Sequence, residues 1–342
     1  MLSVGDTGSL ETVNLAQSNG FPHIMQHTVS LPIELTGVGL HSGAETTLRL
    51  LPSAVGTGLI FKRVDVTDRD QIVPAKWDHV VDTRLCTVVA NASGVSVGTI
   101  EHLMAALAAC GVDNAVMELD GPEVPIMDGS SAPFVEAILN AGLKTLAAPR
   151  RAIKILKEIT VVDGDKTVTL KPGIGSHFKA TIDFSHPSIG EQSSEIELLS
   201  GEFIAKIADA RTFGFAHEVK ALRAVGLALG GSLENAVVLD ETGILNPEGL
   251  RHDDEFARHK VLDAVGDIYI AGGPIIGCYE AQKPGHNMNN RVLRALFADT
   301  DAWVWIDLYM DSVPVTENKA SINACFLPVS GQSTIQKTTV SV

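Results

Sequence analysis

The sequence predicts an α+β fold built from two similar halves, and three observations carry that expectation. The strand–turn–strand pattern of ELTGVGLHSGAETTLRLLP returns later as KEITVVDGDKTVTLKP, each running strand, Gly-containing turn, strand, then Pro. TIEHLMAALAACGVDNAVMEL and FARHKVLDAVGDIYIAGGPIIGCYE each place a histidine in the first turns of a helix, followed by Gly-containing turns and a strand. Between the copies lies APRRA, Ala148–Ala152, whose Pro and paired Arg mark a boundary. The correspondence is one of pattern rather than identity. If it is a true repeat, it sets His102 and His259 on equivalent helices, one from each half.

The elements follow in order. Residues 1–25 lack a basic start and a long apolar stretch, so they read as a flexible extension rather than a secretory signal. The first domain is expected over 26–148. It opens with two alternating strands around the GVGLHSG turn, a tight hairpin that brings His41 close to the site. Further strands are expected at Thr57–Lys62, Thr87–Ala90 and Asn114–Leu119. A helix begins at Thr99–Glu101 and stops before Gly111, and a second fits SSAPFVEAILNAG, with Ser caps, an early Pro and a closing Gly. The second domain is expected over 152–328. It carries an insert at about 211–232, where Ala216–Ala224 is helix-compatible and VGLALGG reads as an apolar, strand-like run. Helices follow at Asp254–Ala271 and Asn287–Ala298. The tail, 329–342, is polar and expected to be mobile.

Composition narrows the function. With 342 residues and 45% hydrophobic content, the chain has material for two domains and a sizeable core. A net charge of −15 argues against nucleic acid as a partner, though not against a small anion held by a local basic cluster. Four cysteines without a CxxC pair give no support for a cysteine zinc knuckle and fit a reducing cytoplasm. No apolar run reaches the length of a membrane span, and nothing signals oligomerisation, so a monomer is expected.

The chemistry begins with His259 and Asp263, four apart on a helical pattern and therefore on one face. Imidazole and carboxylate suit zinc. An isolated HxxxD is more often a surface pair, its acid engaged by Lys260. Here the same face continues to Asp267 on a helix otherwise rich in Val, Leu, Ile and Ala, and buried carboxylates need partners. His102 is the candidate third ligand, leaving an open position for water, and Glu101 beside it is the candidate general base. His286, on the Gly turn of KPGHNMNN, is placed to protonate a leaving amine or stabilise an oxyanion. Thr212 in ARTFGF can donate to that oxyanion, although Thr in such a run is more often structural. No HExxH, GxSxG or Walker-type loop is present.

EHLMAALAACGVDN, PIMDGSSAPFV, ARTFGF, LRHDDEFARHKVLDAVGD and KPGHNMNN, in order from about Gln26 to Val313, resemble the signature blocks of the UDP-3-O-acyl-N-acetylglucosamine deacetylase family. The resemblance implies helices sandwiched between two sheets, a β-α-α-β arrangement. It implies one Zn2+ per chain, with Fe2+ able to substitute in the cell, held by His102, His259 and Asp263. Glu101 matches the base, His286 the acid, Asp267 the carboxylate that orients it, and Thr212 the hydroxyl near the oxyanion. Lys260 and Lys283 match basic residues near the diphosphate or reacting centre, and Asp183 and Phe184 match uridine contacts. Phe213, Val219 and Ala228 would line the acyl passage, where the small Ala216 and Ala228 leave the preferred chain length open.

The implied reaction is zinc-dependent hydrolysis of the N-acetyl group of UDP-3-O-acyl-N-acetylglucosamine, the committed step of lipid A biosynthesis, giving acetate and the free amine. Two other readings are an amidase for a different acylated amino sugar and a non-catalytic protein with a structural zinc. The expected acyl passage favours a lipid-linked substrate over the first. Three convincing ligands rather than four argue against the second.

Overall fold

The computed structural model describes residues 23–309. The expected tail, most of the N-terminal extension and the end of the second domain lie outside them. The first sheet has five strands in the order Ile33–Val38, Glu45–Pro52, Ala115–Leu119, Leu59–Arg63 and Ile72–Pro74. Its hairpin is antiparallel, its central strand follows a helix, and Leu59–Arg63 runs parallel to that central strand.

The second sheet has seven strands and contains the same order. The hairpin Ile159–Asp163 and Lys166–Lys171 leads to the central Ile275–Gln282. Ser176–Phe184 runs parallel to that centre, and Gly190–Glu197 closes the edge. Arg151–Ile155 and Trp303–Asp307 extend it. The repeat suspected from pattern is thus a repeat of strand order, sense and helix placement.

Six helices accompany the sheets among the described residues: α1 Glu101–Cys110, α2 Ala132–Ala141, α3 Glu202–Lys206, α4 Ala216–Ala224, α5 Glu255–Tyr269 and α6 His286–Ala298. The central strand of each half lies between two of them, α1 and α2 in the first, α5 and α6 in the second. Helix α1 is apolar all round and buried on nearly every face, as a helix inside a sandwich must be. It ends at Gly111, whose φ of 71° lets the last carbonyls be satisfied. Each fully buried Leu or Met along it contributes about 1.5–3 kcal/mol.

Helices α1 and α5 pack on each other across the middle of the molecule. They meet at Gly266, where a Cβ would stand 1.9 Å from the Glu101 carbonyl oxygen. Only a residue without a side chain permits that approach. It sets the first turn of α1 beside the middle of α5, where Glu255, His259, Asp263 and Asp267 recur every fourth residue and are all buried.

One local reading changes. The run 225–231, expected to be strand-like, is a string of turns. Gly226 and Ala228 have φ of 79° and 52°, values that no extended ladder accommodates. Its backbone instead docks on the first half: Leu229 N–H donates to the His41 carbonyl at 3.2 Å and Gly230 N–H to that of Leu40 at 3.0 Å. The APRRA stretch, read as the boundary, runs from one paired strand to another. It joins strand Leu143–Pro149, paired with Met25–Val29, to Arg151–Ile155 of the second sheet. Arg150 between them is buried, bonded to Asp113 at 2.7 Å and to the Tyr269 hydroxyl at 3.2 Å.

Candidate active site

Helices α1 and α5 bring His102, His259 and Asp263 together, with a potential ligand atom of each within 4.8 Å of the others. His259 Nε2 lies 3.3 Å from Asp263 Oδ1, and His102 Nε2 lies 3.6 Å from the same oxygen. His259 Nδ1–H donates to the Ala210 carbonyl at 3.0 Å, so the neutral ring turns the lone pair of Nε2 toward Asp263. Burial holds the His259 pKa below its ordinary value, favouring that neutral form. Burial opposes the Asp263 charge, but the Lys260 ammonium, 2.8 Å away, helps hold the carboxyl below the usual carboxylate range. A buried lone pair facing a buried carboxylate oxygen that has no hydrogen-bond partner among the described residues is an arrangement that calls for a cation. The donor set, two imidazoles and a carboxylate, suits a divalent transition metal such as zinc.

Beside it sits a second cluster of Glu101, Asp267 and His286. His286 Nδ1 is 2.8 Å from Asp267 Oδ2, and its Nε2 is 3.9 Å from Glu101 Oε1. Asp267 also accepts from Thr87 Oγ1 at 2.6 Å and from Asn289 Nδ2 at 2.9 Å, while the Tyr279 hydroxyl donates to Asn289 at 2.6 Å. Glu101 Oε2 accepts the Thr87 N–H at 3.0 Å. Burial raises the Glu101 pKa to about 7, against the pull of His286 and with the help of Asp267 and Asp263. Burial would lower that of His286, but Asp267 and Glu101 outweigh it and lift the imidazolium to about 10. The carboxylate and imidazole are therefore driven apart, the first toward accepting and the second toward donating a proton near neutrality.

Thr212, Phe213, Val219 and Ala228 line one cavity of about 510 Å³, whose wall also includes His41 and Leu40. Phe213 links it to the His102, His259 and Asp263 cluster: its ring is 6.3 Å from that of His259 and 5.3 Å from Lys260 Nζ. Phe184 stacks edge-on to Phe213 at 5.8 Å. The two lysines considered for the diphosphate are engaged by carboxylates, Lys260 with Asp263 at 2.8 Å and Lys283 with Asp165 at 2.7 Å and Asp183 at 3.1 Å. Asp183 and Lys283 are thus neighbours.

Sequence reasoning missed Thr87, Asn289 and Glu123. Asn289 stands one helical turn after His286, a spacing that could have flagged it. Thr87 fell inside an expected strand, with no local signal. Glu123 is buried and accepts the backbone N–H groups of His41 and Ser42 at 2.9 and 3.0 Å and the Thr99 hydroxyl at 2.7 Å. It ties the GVGLHSG loop to the entry of α1.

A family model described as UDP-3-O-acyl N-acetylglycosamine deacetylase matches residues 26–298. A UDP-3-O-acyl-N-acetylglucosamine deacetylase of Phenylobacterium zucineum (strain HLK1) is 51% identical over 280 residues, covering 82% of this chain and 96% of that protein. One of the same name from Shewanella frigidimarina (strain NCIMB 400) is 49% identical over 296 residues, 86% of this chain and 96% of its own length. A third, from Shewanella sp. (strain W3-18-1), is 48% identical over the same coverage.

Proposed function

The chain belongs to the UDP-3-O-acyl N-acetylglycosamine deacetylase family, and from that premise we propose how its residues divide the reaction. The protein removes the acetyl group of UDP-3-O-acyl-N-acetylglucosamine in lipid A biosynthesis. It is a metal-dependent deacetylase. The proposal is that the metal is one Zn2+ per chain, with Fe2+ as an alternative in the cell, held by His102, His259 and Asp263. The observation that carries it is the His259 Nε2 lone pair facing, at 3.3 Å, an Asp263 Oδ1 that has no hydrogen-bond partner among the described residues.

Zinc bound there supplies Lewis-acid polarisation of the amide carbonyl and a water of lowered pKa. Glu101 accepts the proton of the attacking water as its oxygen bonds to the carbonyl carbon. Thr212 donates to the oxygen that becomes negative. His286, kept protonated by Asp267, gives its proton to the departing nitrogen as the C–N bond breaks, leaving acetate and the amine. Phe213, Val219 and Ala228 take the acyl chain, at about 0.8 kcal/mol per buried CH₂. Asp183, Phe184 and Lys283 take the uridine and diphosphate end, with Lys260 near the reacting centre. On this reading Lys283 exchanges a carboxylate for a phosphate when substrate binds. The two-domain division at 26–148 and 152–328 belongs to the same reading, as do a monomer and a cytoplasmic location. Cysteine usage supports the location, and among the described residues no helix is long and apolar enough to cross a membrane. Light scattering and cell fractionation test the last two.

The deciding experiment combines metal analysis with deacetylation of UDP-3-O-acyl-N-acetylglucosamine carrying acyl chains of graded length. Wild-type protein is expected to hold about one ion per chain. Chelation should abolish turnover and zinc should restore it. His259→Ala should lose the ion. Turnover that survives metal removal, or full metal content in the His259→Ala protein, would overturn the assignment.

The pH profile offers an independent measurement. The base must be unprotonated and the acid protonated, so kcat/KM should rise through the pKa of Glu101, about 7, and fall through that of His286, about 10. A dication in the adjoining site favours the unprotonated form of both groups, so loading moves both limbs acidward and keeps their order. His286→Gln should erase the alkaline limb. A flat profile across the neutral and alkaline range contradicts the pairing.

A further inference from the structure

Thr87 is 2% exposed, and both its N–H and its hydroxyl are spent on the Glu101, Asp267 and His286 cluster. Its N–H donates to Glu101 Oε2 at 3.0 Å. Its hydroxyl donates to Asp267 Oδ1 at 2.6 Å. Its carbonyl accepts a long bond, 3.5 Å, from the N–H of Ile100, the residue that opens α1. Thr87 belongs to the first half and Asp267 to the second, so one residue spans the seam on which the site lies. Asp267 Oδ1 accepts from no other group among the described residues, whereas Oδ2 is shared by His286 and Asn289.

We propose that Thr87 is a positioning residue that fixes the base and the acid relative to each other, its backbone N–H orienting Glu101 and its hydroxyl locking the Asp267 carboxylate that holds His286. This rests on the reading of Glu101 as base and His286 as acid. The physical argument is one of buried valence. A buried carboxylate oxygen stripped of its single donor is costly, and the carboxylate turns to recover a partner. Any such turn moves Oδ2, and with it the ring of His286. Thr87→Val keeps the shape and the backbone N–H, so the Glu101 arm survives while the Asp267 arm is lost. The substitution therefore separates the two functions of one residue.

The test measures kcat, KM and bound metal for Thr87→Val, Thr87→Ser, His286→Gln and the Thr87→Val/His286→Gln double variant, as full metal-loaded chains acting on UDP-3-O-acyl-N-acetylglucosamine. Thr87→Val is expected to lower kcat about 10–100-fold, the usual loss when a hydrogen-bonded support of a catalytic group is removed. KM should stay within about twofold, because substrate contacts are untouched. Metal content should be unchanged. Thr87→Ser should recover most of the rate, since it keeps the hydroxyl. In the His286→Gln background the valine substitution should cost less than about twofold more, because its effect passes through His286. Should the valine protein not fold, Thr87→Ala, which cannot overpack, takes its place. Wild-type kcat in the valine protein, equal losses in both backgrounds, or a serine variant no better than valine would overturn the proposal. Full activity in His286→Gln alone would instead remove the acid assignment, and the proposal with it.

Discussion

Glu101→Gln is expected to lower kcat by roughly 10²–10⁴-fold while leaving the bound metal at the wild-type level. That is a transition-state loss of about 3–5.5 kcal/mol, since each factor of ten is about 1.4 kcal/mol. The expectation follows from position. Glu101 precedes the candidate ligand His102 but is not one of the three groups that converge on the cation site. Glutamine keeps the shape and an oxygen for the Thr87 N–H at 3.0 Å, so the helix entry stays in place. What it lacks is the basic oxygen that faces His286 at 3.9 Å, the one free to take a proton from water. The measurement is steady-state deacetylation paired with metal quantification. Activity within tenfold of wild type would sink the base assignment. Loss of metal in step with activity would place Glu101 among the ligands instead.

Gly266→Ala is expected to cost about 3 kcal/mol or more of stability, the upper end of overpacking effects. The added carbon would meet the Glu101 carbonyl oxygen at 1.9 Å and the Ala105 backbone nitrogen at 3.1 Å. Both are backbone atoms of α1, so no rotamer change can relieve the clash and the helices must separate. That separation moves Glu101 and His102 away from Asp263 and Asp267. A shift of about 1 Å in such a constellation can lower the rate about 10²-fold. The urea midpoint and kcat should therefore fall together. A Gly266→Ala protein with the wild-type midpoint would show that the helices do not approach this closely.

Gly266 also shows where sequence reading stops. Its place in HKVLDAVGD looks like a mild helix defect, because a glycine in a helix costs about 1 kcal/mol relative to alanine. Its reason lies on another helix. Thr87 is a parallel case, since its neighbours Glu101 and Asp267 belong to different halves. The run 225–231 was misread for a related cause. Its apolar pattern fits a strand, but Gly226 and Ala228 adopt positive φ and its N–H groups are taken by the 40–41 backbone. The sequence could not show either that Lys283 pairs with Asp165 and Asp183, residues distant from it along the chain.

Other features were legible because they are local. The Gly111 cap, the apolar circumference of α1 and the fourfold spacing of His259, Asp263 and Asp267 are periodicities within one element. The repeat of hairpin, helix and central strand was also visible as pattern, and the two sheets carry it as matching strand order.

What the sequence alone determined was the kind of element most of the named segments form, the pattern shared by two similar halves, and which residue types are candidates to hold a cation and move protons. The tertiary structure alone decided which of those residues touch. It sets the Glu101 carboxylate against His286, the His259 lone pair against Asp263, and Thr87 between Glu101 and Asp267. The physical reason is that periodicity records neighbours along one helix or strand. The distance between two helices is set by their closest contact, here the missing side chain of Gly266 against the Glu101 carbonyl.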